Sequence, residues 1–122
     1  MKTLLLVDDS RAVRLATKRM VAPLGIAILE AEDGSQAWDR IQEHPEVDAI
    51  LLDWNMPVMD GITFLRKLRE DKTQPQPAVI MCTTENDLPR ILEAMQAGAN
   101  EYIMKPFTEE IVREKLAGAG IL

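Results

Sequence analysis

Three aspartates stand directly after short apolar runs of the sequence. Asp8 and Asp9 follow residues 4–7, and Asp53 follows residues 49–52. Carboxylates that are brought together repel one another unless a cation lies among them. Oxygen ligands favour a hard divalent cation, and Mg²⁺ binds through one or two carboxylates, several waters and the phosphate oxygens of a substrate. If the three aspartates meet in the fold, the sequence predicts a magnesium site suited to phosphoryl chemistry.

A simpler interpretation of the first two aspartates is helix capping. Asp8, Asp9 and Ser10 precede a helix-like segment, and Asp and Ser are favoured at helix N-termini. Asp53 lies between an apolar run and the sequence Trp54-Asn55-Met56-Pro57, where capping is a poorer explanation.

Two more polar side chains follow apolar runs. Thr83 offers a hydroxyl donor after residues 78–82, and Lys105 offers an ammonium after residues 102–104. Each alone is an ordinary turn residue or surface charge. Together they supply the donors that a transferred phosphoryl group requires.

The elements that position these residues follow from the hydrophobic pattern. Unbroken apolar runs are typical of strands that are covered on both faces, as in a parallel sheet between helices. The runs are 4–7, 26–29, 49–52, 78–82 and 102–104. Between them lie helix-like segments, including a weaker one over 34–43 and a last one that Thr108 caps and that ends near Gly118. Their predicted inner faces are Val13, Ala16, Met20 and Leu24; Ile62, Leu65 and Leu68; Leu88, Ile91, Leu92 and Met95; and Ile111, Val112 and Leu116.

This alternation predicts an α/β fold, a doubly wound (βα)5 domain with a five-stranded parallel sheet. For five strands the flavodoxin-like order 2-1-3-4-5 is favoured, and ligands then bind beyond the carboxyl ends of strands 1 and 3. The order brings Asp8, Asp9 and Asp53 to one crevice.

Composition narrows the function further. The chain has 122 residues, a net charge of −6, one histidine and one cysteine, which indicates a single domain without disulfide or zinc chemistry. The acidic balance disfavours direct nucleic-acid binding. No apolar run approaches the roughly 20 residues of a membrane span, so a cytoplasmic protein is expected.

These motifs together resemble the receiver domain of two-component response regulators, in particular stand-alone chemotaxis regulators of the CheY type. The matching residues are Asp8-Asp9-Ser10, Asp53-Trp54-Asn55-Met56-Pro57, Met59-Asp60-Gly61, Thr83 and Lys105-Pro106-Phe107. The resemblance covers essentially residues 1–122 and implies one receiver domain with no output domain in this chain.

The resemblance implies a role for each site residue. Asp53 is the expected phosphoacceptor for a phosphohistidine of a sensor histidine kinase of the CheA kind. Asp9 is expected to bind Mg²⁺ directly, Asp8 through water, and Asn55 through its backbone carbonyl, with Mn²⁺ as an alternative ion. Thr83 and Lys105 would contact the phosphoryl group, and the Lys105–Pro106 bond is expected to be cis.

The same resemblance implies the output. Phosphorylation would draw Thr83 inward and let Tyr102 turn, which switches a target surface on helix 4, strand 5 and helix 5. Asn55 and Glu85 occupy positions that modulate dephosphorylation. The expected protein is a monomeric phosphoacceptor switch that assists its own phosphorylation and autodephosphorylation, and is not a conventional enzyme.

Its expected targets are a flagellar motor switch protein or a phosphatase, with no membrane partner. On helix 1, Arg11, Arg14 and Leu15 are candidates for docking the kinase.

Other functions are compatible with some of the same residues. The domain could be a phosphorelay intermediate or phosphate sink that passes its phosphoryl group to a histidine phosphotransfer protein, or a receiver domain excised from a larger regulator. A haloacid dehalogenase-type hydrolase is disfavoured because Asn55 stands where a second aspartate is needed. A flavodoxin is disfavoured because three acids would repel the flavin phosphate.

Overall fold

The computed structural model describes residues 1–84 and 88–122, and these contain five strands and five α-helices in alternation. The strands are β1 (Thr3–Val7), β2 (Ala27–Ala31), β3 (Ala49–Asp53), β4 (Ala78–Thr83) and β5 (Glu101–Met104). The helices are α1 (Arg11–Val21), α2 (Gly34–Glu43), α3 (Gly61–Glu70), α4 (Leu88–Ala97) and α5 (Glu109–Gly118), and a short 3₁₀ helix, Ala22–Leu24, follows α1.

The strands form one parallel sheet in the order β2-β1-β3-β4-β5, which confirms the predicted flavodoxin-like fold. Val7 of β1 pairs with Leu52 of β3. Asp8 and Asp53 each follow one member of this pair, so they leave neighbouring strands side by side. The register therefore brings the two carboxylates to the same end of the sheet.

Two hydrophobic layers cover the sheet. On one face Leu5, Ile50 and Leu52 pack with Phe64 and Leu65 of α3, in a layer that α2 also joins. On the other face Leu4, Leu6, Leu51 and Ile80 pack with side chains of α5. Every residue of β1 and β3 is buried, whereas the edge strands β2 and β5 are partly exposed. The predicted burial on both faces is therefore confirmed for the central strands β1, β3 and β4 and wrong for the edge strands β2 and β5.

The predicted inner face of α1 was wrong in part. Its buried residues are Arg14, Thr17 and Val21, while Ala16 is exposed. The Thr17 hydroxyl donates to the Val13 carbonyl at 2.8 Å, so this polar side chain is buried with its hydrogen bond made. A pattern that counts only apolar residues misses such a face.

The predicted inner faces of α4 and α5 also need correction. In α4 the buried residues are Ile91 and Ala94, while Leu88, Leu92 and Met95 are exposed. In α5, Val112 and Leu116 are buried as predicted, but Ile111 is exposed. Residues 88, 92 and 95 do share one helix face, since they are three and four positions apart, but that face points away from the sheet.

Arg69 ties the end of α3 to the turn between α4 and β5. Its Nε donates to the Gly98 carbonyl at 3.0 Å, and its Nη2 donates to the Pro77 carbonyl and to Asn100 Oδ1 at 2.9 and 3.0 Å. Gly98 has a φ of 109°, in the left-handed region that favours glycine. Three separate chain segments are therefore held by one guanidinium group.

Among the described residues, no helix is both long enough and apolar enough to cross a bilayer.

Candidate functional site

Three aspartates converge at the carboxyl end of the sheet, as the strand order predicts. One carboxylate oxygen from each of Asp8, Asp9 and Asp53 lies within 4.8 Å of the others. Asp8 and Asp53 are 6% and 7% exposed, whereas Asp9 is open to solvent. Two acids are thus fixed in the protein and the third faces water.

The ammonium group of Lys105 lies between the two buried acids. Its Nζ is 2.5 Å from Asp8 Oδ2 and 3.0 Å from Asp53 Oδ1, and its side chain is mostly buried. The Lys105 N–H donates to the Thr83 carbonyl at 2.7 Å, which fixes the start of the β5–α5 loop against β4. The Lys105–Pro106 bond is cis, as predicted.

The charges at this site influence one another. Burial raises the pKa of Asp53, and the neighbouring Asp8 raises it further, while the Lys105 ammonium opposes both; the pKa of Asp53 lies above its ordinary value. Burial alone would lower the pKa of Lys105, but its contacts with Asp8 and Asp53 outweigh burial and raise it. The lysine is therefore charged at neutral pH and balances part of the negative charge.

Helix capping explains Ser10 but not Asp8. Ser10 Oγ accepts from the Val13 N–H at 3.2 Å and so caps α1. Asp8 instead uses Oδ1 to accept from the Ser10 N–H at 2.9 Å and Oδ2 to bind Lys105. The capping interpretation is therefore confirmed for Ser10 and wrong for Asp8.

The loop after β3 holds Asp53 in place. Asp53 Oδ1, which contacts Lys105, also accepts a hydrogen bond from the Trp54 N–H at 3.0 Å. The Trp54 side chain is buried, and the Arg90 guanidinium lies 5.4 Å from its ring centroid. The loop then returns, so that the Gly61 N–H donates to the Trp54 carbonyl at 2.9 Å. A Cβ at Gly61 would lie 2.1 Å from the Asp53 carbonyl oxygen. Only glycine allows α3 to begin this close to Asp53.

The remaining predicted residues that the structure describes lie at the end of β4, in the loop after β3 and on β5. Thr83 is buried at the end of β4, and Asn55 is exposed in the loop after β3. Tyr102 is partly buried on β5, where the Lys115 ammonium lies 4.6 Å from its ring centroid. Glu85 lies outside the described residues.

Arg14 is the site residue that the sequence misplaced. The sequence suggests it only as a candidate for docking the kinase, whereas its side chain is buried and its Nη1 donates to the Asp8 carbonyl at 2.6 Å. Arg14 lies one helical turn before Thr17, on the buried face of α1. The burial of this face follows only from the orientation of the helix, which the sequence does not give.

A family model described as the response regulator receiver domain matches residues 4–117. The chain belongs to the response regulator receiver domain family. Among relatives of this receiver domain, the chemotaxis protein CheY homolog of Campylobacter jejuni is 41% identical over 114 residues, which span 93% of this chain and 88% of the relative. Chemotaxis protein CheY1 of Helicobacter pylori is 40% identical over 114 residues, 93% and 92% of the two chains.

Solved structures agree with the family and the fold. The chemotaxis response regulator CheY4 of Vibrio cholerae matches this receiver domain with a TM-score of 0.89 at 30% identity, over 98% of each chain. The structure of a CheX–CheY–BeF3–Mg²⁺ complex from Borrelia burgdorferi matches with a TM-score of 0.87 at 29% identity, over 94% of this chain and 86% of that one. The protein is a response regulator receiver domain with relatives named for chemotaxis.

Proposed function

We propose that this receiver domain accepts a phosphoryl group on Asp53 from a phosphohistidine of a sensor kinase of the CheA kind, in a Mg²⁺-dependent reaction. The observation that supports this most is the placement of Asp53, buried at the end of β3 between two further acids and the Lys105 ammonium. Positioning and charge neutralisation account for most of the catalysis of phosphoryl transfer.

The donor set fits a hard divalent cation. The three converging groups are all carboxylates, and Mg²⁺ combines few carboxylates with waters and phosphate oxygens. Asp9 and Asp53 would bind the ion directly, Asp8 through water, and the Asn55 carbonyl would complete the protein ligands. When bound, Mg²⁺ or Mn²⁺ would neutralise charge on the phosphoryl oxygens.

The two oxygens of Asp53 differ in their surroundings. Oδ1 is contacted by Lys105 Nζ and by the Trp54 N–H, so we assign Oδ2 as the attacking atom. The Oδ2–P bond forms while the N–P bond of the phosphohistidine breaks, and the imidazole nitrogen leaves with that electron pair. Lys105 and the Thr83 hydroxyl would then bind phosphoryl oxygens, and the domain would assist loss of the group to water.

The output surface proposed for this domain is formed by α4, β5 and α5. This surface carries exposed apolar side chains, among them residues that the sequence pattern had assigned to the inner faces of α4 and α5. In the proposed function these side chains would contact a partner protein. They are Leu88, Leu92, Met95, Met104 and Ile111. Because the relatives are chemotaxis proteins and one was solved with CheX, we propose a flagellar motor switch protein or a phosphatase as the target.

The proposed phosphorylation is tested with acetyl phosphate as a kinase-independent donor. Intact mass should show one added phosphoryl group in Mg²⁺ and none in EDTA, because the metal neutralises the incoming charge. Hydroxylamine should remove the group, since an acyl phosphate forms. Equal labelling in EDTA, or a label stable to hydroxylamine, would contradict the proposal.

Lys105→Met is expected to tighten Mg²⁺ binding by about tenfold, because it removes a cation that competes for the same carboxylates. In the structure, the Lys105 ammonium contacts both Asp8 and Asp53. Calorimetric titration with Mg²⁺ measures the change, and Lys115→Met is the control, since Lys115 pairs with Glu101 on another part of the surface. Weaker binding in Lys105→Met alone would show that the lysine orients the acids more than it competes with the ion.

A further inference from the structure

We infer that Arg14 is a positioning residue that fixes the peptide between Asp8 and Asp9 and thereby sets the Mg²⁺ affinity of the site. The inference rests on the proposed metal site and adds a residue to it that contacts neither the metal nor the phosphoryl group.

The peptide that joins the two acids is held from one side by α1. The Asp8 carbonyl, which belongs to that peptide, accepts from Arg14 Nη1 at 2.6 Å in a buried hydrogen bond. The Asp8 N–H donates to the Ala31 carbonyl of β2 at 3.1 Å. Asp8 is therefore fixed at both backbone groups, beyond the two contacts of its carboxylate.

The guanidinium is itself held in place. Arg14 is 8% exposed, and its Nε donates to Glu30 Oε1 at 3.1 Å. The other oxygen of Glu30 accepts from Lys18 Nζ at 3.1 Å. Burial would raise the pKa of Glu30, but the hydrogen bonds from Lys18 and Arg14 lower it below its ordinary value. The planar fork of Arg14 thus connects β2 to the loop that carries both acids.

This arrangement matters most for Asp9. The Asp9 side chain is exposed, so the position of its carboxylate depends on the orientation of the Asp8–Asp9 peptide. Mg²⁺ requires nearly ideal octahedral geometry, and loss of groups that orient metal ligands commonly weakens metal binding by about 10- to 100-fold. A peptide free to rotate would place Asp9 correctly for only part of the time.

The test compares Arg14→Gln and Arg14→Lys with Arg19→Gln, which removes an exposed arginine of the same helix. Mg²⁺ dissociation constants are measured by calorimetry and by Trp fluorescence. We expect Arg14→Gln to weaken binding by about tenfold. Arg14→Lys should fall in between, because an ammonium keeps the charge but lacks the fork that joins Glu30 to the Asp8 carbonyl. Arg19→Gln should match the wild type.

A second measurement separates positioning from general damage. The rate of labelling by acetyl phosphate is followed against Mg²⁺ concentration. A positioning role predicts a higher half-saturating Mg²⁺ concentration with a wild-type maximal rate, whereas a distorted fold lowers the maximal rate itself.

Each outcome decides a different point. A folded Arg14→Gln protein whose Mg²⁺ affinity equals that of the wild type overturns the inference and leaves the proposed function standing. A wild-type protein that binds no Mg²⁺ overturns the proposed function instead. If Arg14→Gln does not fold, Arg14→Lys decides, and unchanged affinity in that variant refutes the role of the fork.

Discussion

Asp53→Asn is expected to abolish labelling by acetyl phosphate. The amide has nearly the shape of the carboxylate, and its oxygen can still accept from the Trp54 N–H as Asp53 Oδ1 does at 3.0 Å. It lacks the anionic oxygen that attacks phosphorus, so the covalent intermediate cannot form. Intact mass in saturating Mg²⁺ measures the loss directly.

Asp60→Asn is the matched control for this substitution. Asp60 Oδ1 accepts from the Thr63 N–H at 3.0 Å and caps α3, and asparagine is an equally good cap. The control should therefore be labelled as the wild type is. If the Asp53→Asn variant were still labelled, the phosphoacceptor would be another residue, and Asp9 would be the first to test.

Gly61→Ala is expected to cost about 3 kcal/mol or more in the free energy of unfolding, near the upper end for overpacking. The new methyl group would lie 2.1 Å from the Asp53 carbonyl oxygen, 3.0 Å from its carbonyl carbon and 3.2 Å from the Trp54 Cα. All three are backbone atoms, so no change of rotamer relieves the overlap. Denaturant unfolding gives the loss, and labelling by acetyl phosphate reports whether Asp53 has moved.

Gly118→Ala is the same substitution at another position, and its expected effect on stability has the opposite sign. Gly118 is the last residue of α5, and a Cβ there would lie 3.4 Å from a carboxylate oxygen of Glu101, at ordinary contact distance. Because alanine is the better helix former by up to about 1 kcal/mol, stability should rise slightly. If both variants lost the same free energy of unfolding, the close backbone approach at Gly61 would not be the cause of the loss in Gly61→Ala.

The sequence was sufficient to predict the sheet and the meeting of the acids. The apolar runs before Asp8 and Asp53 mark strands buried on both faces, and the strand order then determines which strand ends are neighbours. The roles of the individual residues came from the family resemblance, since spacing alone does not separate a metal ligand from a phosphoacceptor.

Helix orientation was less predictable. In α4, the apolar residues Leu88, Leu92 and Met95 lie in solvent, while Ile91 and the small Ala94 pack inward. In α1, Arg14 and Thr17 are buried because their polar atoms find partners. Hydrophobic periodicity assumes that apolar means buried, and it fails where a surface is kept apolar or a buried group is polar.

The Arg69 contacts hold one end of α4. They hold the carbonyl of Gly98, directly after the helix, and Asn100 beyond it, whereas Thr83 precedes the first residue of α4 in the chain. Because the Gly98 end of α4 is held to α3, a change at Thr83 is expected to displace Leu88, in the first turn of the helix, more than the residues next to Gly98.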